Sequence, residues 1–366
     1  MRRDLKYFVG AMVLVAACGG AEGAAYNYTF IAPTGNSSSV GVNSNGSITW
    51  RTIESDTFIH RYDGGTDTTI ATGSLPGGVI GPSINDAAHV AFRFGNGSVE
   101  GIRLNDGSGN ATMVDTTGPL SAFGNPSLNN SDKVAVWASE DIGGSGIFTV
   151  GGSITSPIVQ SGGIYSGFAA EPVINQSGQV VFKASLTSGG QGVFRSDGVS
   201  TTTIATTSGS ATIGGFNMND AGTVIYSSAG KIWTGNGTGA PTPVVSIGTS
   251  TFSSFGNLEI NAYGKIAFHG VRPSGIEGIF TGPDPLADKV IQTGDSLFGG
   301  TVNSIRFFTE GLNNSGAIAF YAQIGGPTSE TGGASDVIVL ATPVPEPALG
   351  VVMVGVGMVV GRRRGR

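Results

Sequence analysis

The sequence predicts an all-β protein, a seven-bladed β-propeller of four-stranded antiparallel blades, with a β-solenoid as the alternative. Three observations carry that expectation. An eight-residue phrase of the type N-Q-S-G-Q-V-V-F, at Asn175 to Phe182, recurs at Asn43, Asn85, Asn129, Asn219, Asn261 and Asn313, with steps of 42, 44, 46, 44, 42 and 52 residues. Four strand-like stretches fall within each step. The composition, with 62 Gly in 366 residues and only 12% charged side chains, is that of a turn-dense β chain. Periods of this length built from strand-type sequence belong to propellers, solenoids and related arrays.

The chain begins with Arg2, Arg3 and Lys6 ahead of the apolar run Tyr7 to Ala17, followed by small residues. This is the order of a secretory signal, assigned to residues 1–25, and it implies the Sec export machinery and signal peptidase as partners. Val15-Ala16-Ala17-Cys18 has the look of a bacterial lipobox, which makes Cys18 a candidate lipidation site. Cys18 is the sole cysteine, so the exported domain has no disulfide framework. Tyr26 to Ala32 is strand-like yet belongs to no complete repeat.

Each phrase reads as a hairpin. In N-x-x-G the Asn side chain accepts from the backbone two residues on, and Gly at the fourth position takes positive φ. Asp132 and Ala88 replace that Gly in two copies, Ala88 at a cost of roughly 1 kcal/mol. The entering strand is the stretch before the Asn, such as Pro126-Ser127-Leu128 or Pro172-Val173-Ile174. The leaving strand carries Val-Ala-Phe or its like. A third element follows (Gly101 to Leu104, Gly146 to Thr149, Gly192 to Arg195, Gly278 to Thr281), then turns such as Asp63-Gly64, Asp106-Gly107 and Asp197-Gly198. Fourth strands are expected at Thr68 to Thr72, Ala111 to Asp115, Thr201 to Thr206, Pro243 to Ile247 and Lys289 to Thr293. The last repeat supplies three strands, ending with Asp336 to Leu340, and Tyr26 to Ala32 is expected to supply its fourth and close the ring. Asp-Gly and Asn-x-x-Gly turns mark antiparallel hairpins, which favours the propeller over the parallel solenoid. The propeller domain is placed at residues 26–340.

The chain ends with a proline-stiffened linker at 341–347, an apolar run from Ala348 to Val360, and the cluster Arg362, Arg363, Arg364 and Arg366. Thirteen apolar residues fall short of the roughly 17 to 20 that a stable spanning helix needs. The order of Pro345-Glu346-Pro347, short apolar run and terminal arginines resembles the PEP-CTERM sorting signal of exopolysaccharide-producing Gram-negative and related bacteria. That resemblance implies an exosortase-type processing enzyme as partner, cleavage near Pro345-Glu346-Pro347, transient membrane contact through 348–366, and delivery to the cell surface or extracellular matrix. Residues 43–340 resemble the N-x-x-G-x-x-A-F tandem-repeat proteins that carry interchangeable anchors, which implies a repeat architecture and no particular activity.

Without its two ends the chain holds 12 Lys and Arg against 22 Asp and Glu. That balance argues against nucleic acid as a partner. His60, His89 and His269 stand in different repeats with no zinc spacing, so no metal site is assigned, and no cofactor is expected. Asp106 to Asn110 (D-G-S-G-N) is oxygen-rich enough to suggest Ca2+, but lacks the closing Glu of an EF-hand and reads first as a hairpin turn. If a ligand site exists, the channel-lining strand should build it, from the positions four before each Asn: Gly81, Asn125, Glu171, Gly215, Asn257 and Thr309, with Glu259 and Glu310 close by. Carboxylates in one ring could serve as acid, base or cation ligands. The expectation is a non-catalytic structural, adhesive or weakly glycan-binding surface protein, with exopolysaccharide as a partner. The alternative is a polysaccharide lyase or hydrolase working through those carboxylates.

Overall fold

The computed structural model describes residues 25–345, apart from 54–55, 74–80, 96, 153, 170 and 327–334. Cys18, Glu346, Pro347, Arg362, Arg363, Arg364 and Arg366 lie outside the described residues, as does most of the long 325–335 loop.

Seven antiparallel sheets follow one another along the chain. Blade 1 runs Asn36–Val42, Ile48–Ile53, Thr57–Asp63 and Thr66–Gly73, in that order from the channel outward. Blades 2 to 6 repeat the plan, with second strands at Val90–Gly95, Lys133–Glu140, Val180–Leu186, Val224–Ser228 and Ile266–Val271. Blade 7 is built from both ends of the chain: Gly300–Arg306, Ile318–Gly325, Ser335–Pro343 and, outermost, Tyr26–Pro33. Tyr26 pairs with Pro343 and Pro33 with Val337, so the ring closes as the isolated N-terminal strand led one to expect. Among the described residues all the sheet ladders are antiparallel, which removes the solenoid. The last strand reaches Pro343, and Ala341 is fully buried within it, so the propeller ends three residues beyond the expected boundary at 340.

Alternation along the second strand explains the Val-Ala-Phe pattern. Side chains alternate between the two faces of a strand, and in a propeller each face meets a different neighbouring blade. Phe92, Phe182, Phe268 and Phe320 pack back against the preceding blade, while Ala91, Val181, Ala267 and Ala319 face the following one. A small residue on the leading face leaves room for the next blade's bulky side chains. Among the described residues the buried apolar side chains fall into seven clusters, one at each blade interface, and no central core exists.

In blades 2, 3, 4 and 6 the third strand carries Gly101, Gly146, Gly192 and Gly278 where blades 1 and 5 carry Phe58 and Lys231. The outer ladder slips register in every blade from 1 to 6, as between Ile147 and Phe148. The fourth strand's backbone lies against the Gly: a Cβ on Gly146 would lie 2.8 Å from the Val159 carbonyl, and one on Gly278 2.5 Å from that of Ile291.

Candidate functional site

The channel wall is made by the strand that enters each Asn. In blades 2, 3 and 4 this strand is interrupted, with only Ser83–Ile84, Ser127–Leu128 and Val173–Ile174 paired next to the turn. Pro82, Pro126 and Pro172 stand just ahead of these pairs, where a proline has no N–H to give the ladder. Blades 1, 5 and 6 carry Val40, Phe216 and Leu258 there and keep a continuous strand.

The seven Asn residues form the first level of the wall, and all are buried. Each side chain works in two directions. Its Oδ1 accepts the N–H four residues on, at 2.8–3.0 Å (Ser47, His89, Lys133, Gln179, Thr223, Lys265, Ala317), and closes its own turn. At Gly46, Gly178, Gly222, Gly264 and Gly316, and at Asp132 (56°) and Ala88 (59°), φ is positive as the turn requires. Nδ2 donates to the backbone carbonyl of the next blade's Asn. Asn43 donates to Asn85, Asn85 to Asn129, Asn129 to Asn175, Asn175 to Asn219, Asn219 to Asn261, Asn261 to Asn313, and Asn313 back to Asn43, at 2.8–3.5 Å. The circle is closed. Turn chemistry was legible from the spacing, and this clasp between blades was not.

One residue beyond each Asn, the same device recurs. Ser44, Asp86, Asn130 and Gln176 donate their N–H groups to the side chains of Asp86, Asn130, Gln176 and Asp220, and Ala262 donates to Asn314. Ala262 has no acceptor to offer, which breaks this outer rim between blades 5 and 6.

Two residues before the Asn, or three in the case of Glu310, a third level lies deeper in the channel. Leu128 N–H donates to Ser83 Oγ (2.8 Å) and Ile174 N–H to Ser127 Oγ (3.2 Å). Glu259, 4% exposed, accepts on Oε1 from Asn217 Nδ2 (2.8 Å) and from the Glu310 N–H (2.9 Å). Glu310 accepts from the Ser83 hydroxyl and from Ile84 N–H (3.0 Å), so it bridges blade 7 to blade 2. It passes blade 1 because residue 41 is Gly: a Cβ there would sit 3.3 Å from Glu310 Oε2. Glu310 also has a φ of 67°, a strained value for a residue with a side chain. Burial pushes both carboxyls up. Glu259 rises well above its usual range, with Glu310's charge adding to the effect of burial, and Glu310 rises to about 7 against the pull of its Ser83 and Ile84 hydrogen bonds.

The fourth level, four before the Asn, forms a mouth on the face opposite the Asn turns. Gly81 N–H donates to Asn125 Oδ1 (3.0 Å), Asn125 Nδ2 donates to Glu171 Oε1 (2.6 Å), and Asn257 Nδ2 donates to the Phe307 carbonyl (2.8 Å). These groups surround a cavity of about 100 Å³ walled by prolines and Phe308, and a second of about 140 Å³ lies on the Asn side. Glu310 lines both. The expected single ring of three carboxylates is therefore corrected: Glu259 joins Glu310 at one level, and Glu171 joins Asn125 at another. The counting rule caused the error, since it followed one face position of the strand and missed the one nearer the turn.

The histidines serve neighbouring contacts. His60 stacks on Trp50, ring centroids 4.9 Å apart, and lies 3.2 Å from Asp67. His89 pairs with Asp132 of the next blade at 2.9 Å. His269 is half-buried 3.4 Å from Glu277, and burial lowers its pKa. Asp106 accepts the Ser108 N–H (2.9 Å) and hydroxyl (2.7 Å), the hairpin-turn arrangement, and these bonds lower its pKa.

A family of unknown function (DUF7453) matches residues 200–338, from the last strand of blade 4 into blade 7. No curated protein sequence matches the chain. Among solved structures, an oligogalacturonate lyase in complex with manganese aligns with a TM-score of 0.56 at 11% identity, covering 92% of this chain and 99% of that one. An oligogalacturonate lyase from Vibrio parahaemolyticus aligns with a TM-score of 0.53 at 10% identity, covering 87% and 94%. At such identity the likeness is one of fold.

Proposed function

We propose that this protein is an exported cell-surface or extracellular-matrix component whose propeller is a non-catalytic structural or adhesive module, with a weak glycan-binding mouth, delivered through processing of its PEP-CTERM-like tail. One observation carries the reading: the polar side chains of the channel are engaged in holding blade to blade. The Asn amides, Ser83, Ser127, Asn217, Glu259 and Glu310 each bond to another blade. A wall so engaged is built for rigidity, and chemistry would require those groups to let go.

The ends of the domain support surface attachment. Val344 N–H donates to the Ala25 carbonyl at 2.8 Å, so both ends leave side by side from the Asn-turn face. A tail held at a membrane or matrix would leave the mouth with Asn125 and Glu171 pointing outward. Lipidation at Cys18 would attach the same face. Mass spectrometry of both mature ends, with fractionation of the producing cells, tests delivery: an intact C-terminus on a protein retained inside the cell removes this half of the reading. Steady turnover of any polysaccharide by the purified propeller removes the other half.

A second reading, a polysaccharide lyase or hydrolase, is favoured by Glu310, whose carboxyl titrates near neutrality beside two cavities, and by the fold shared with lyases. A hydrolase needs two carboxyls about 5 to 10 Å apart across the scissile bond. Here the Glu259 carboxylate is bonded to the Glu310 backbone, and Glu171 stands at another level. Turnover that disappears in Glu310→Gln would establish this reading over the first.

A further inference from the structure

The mouth cavity has a definite electrostatic character. Its lining includes Glu171 and Glu310 as acidic side chains and no Lys, Arg or His. The internal segments outside the described residues add no Lys, Arg or His either. Lys183, whose charge Glu171 feels, is turned to the backbone: its Nζ donates to the carbonyls of Ile213 (3.0 Å) and Gly214 (3.3 Å). The Asn125 amide holds the Glu171 carboxylate at 2.6 Å through one oxygen, at an exposed position. Below it, Pro126, Pro172 and Phe308 offer an apolar wall.

Resting on the glycan-binding reading, we infer that the mouth takes a non-acidic saccharide, best an amino sugar, and rejects polyuronates. A carboxylate and an amide at the rim match the hydroxyls and ammonium of such a sugar, and the apolar wall matches its C–H face. A uronate would bring its own carboxylate up to the Glu171 carboxylate in a cavity whose lining holds no cation to balance it. The ligand class therefore differs from the galacturonates that the fold's lyase relatives are named for.

Three tetrasaccharides of matched length decide the matter: a chitosan tetramer, cellotetraose and tetragalacturonate, titrated calorimetrically into the purified propeller at low salt. The expected order is chitosan tightest, cellotetraose weaker and tetragalacturonate not detected. Glu171→Gln should reduce chitosan affinity about three- to tenfold, to the level of cellotetraose, while an unchanged melting temperature shows the fold intact. The preference should shrink as salt rises. Tightest binding of tetragalacturonate, or chitosan binding indifferent to Glu171→Gln, overturns this inference and leaves glycan binding standing. Binding of none of the three overturns the glycan-binding reading itself.

Discussion

Replacing Glu310 by Gln should remove a pH dependence built into the channel wall. In the folded protein its carboxyl titrates at about 7 against an ordinary 4.5, chiefly through burial. An acid with a raised folded pKa binds its proton more tightly when folded, so its support is full below 4.5 and is lost as pH rises through 7. That gap corresponds to about 3 kcal/mol, at about 1.4 kcal/mol per tenfold change in proton affinity. Glu310 is half-buried, and water reaching the wall reduces this to about 1–2 kcal/mol. Glu259 acts in the same direction. His269 acts oppositely, because burial lowers its pKa and its contribution is lost as pH falls below 6.5. The difference between wild type and variant cancels His269 and reports Glu310 together with the part of Glu259's shift that Glu310's charge causes. Gln keeps an oxygen for the Ile84 N–H and gains an amide for Ser83 Oγ, so the bridge survives. Urea unfolding at pH 5 and pH 8 is the assay. Near-equal stability at pH 5, with the variant ahead by about 1–2 kcal/mol at pH 8, is expected. A difference that stays constant between the two pH values, or that grows toward acid, refutes the reasoning.

Other expectations follow from the same contacts. Asn219→Ala would strand the Thr223 N–H and leave the Asn261 carbonyl with only the Gly264 N–H, costing about 1–3 kcal/mol in urea unfolding. Ala88→Gly relieves a φ of 59° and should raise stability by about 1 kcal/mol, which thermal melts would register. Gly146→Ala places a methyl 2.8 Å from the Val159 carbonyl and should cost about 1–3 kcal/mol or more. Deleting Tyr26–Pro33 leaves Ser335–Pro343 as a bare edge, so light scattering should show association where the intact domain is monodisperse.

Much of the architecture was legible because it is local and repeated. Asn-x-x-Gly sets a hairpin within five residues, Val-Ala-Phe sets which face is bulky, and Tyr26 to Ala32 had no repeat of its own to join. The site was less legible. Glu259 and Glu310 are 51 residues apart, and Glu310 reaches Ser83 past a Gly at 41 that looks, in the sequence, like any other.

The sequence by itself determined the seven blades, the turns and the strand that closes the ring, since each follows from backbone preference and period-two patterning over short stretches. Only the tertiary structure decided what the Asn amides do with their hydrogens, which carboxylates share a level of the channel, and that Gly101, Gly146 and Gly278 lie against a carbonyl of the neighbouring strand. Those are distances between separate strands or blades. They depend on ring curvature and on the few tenths of an ångström by which a side chain reaches its acceptor, and a one-dimensional pattern does not carry that information.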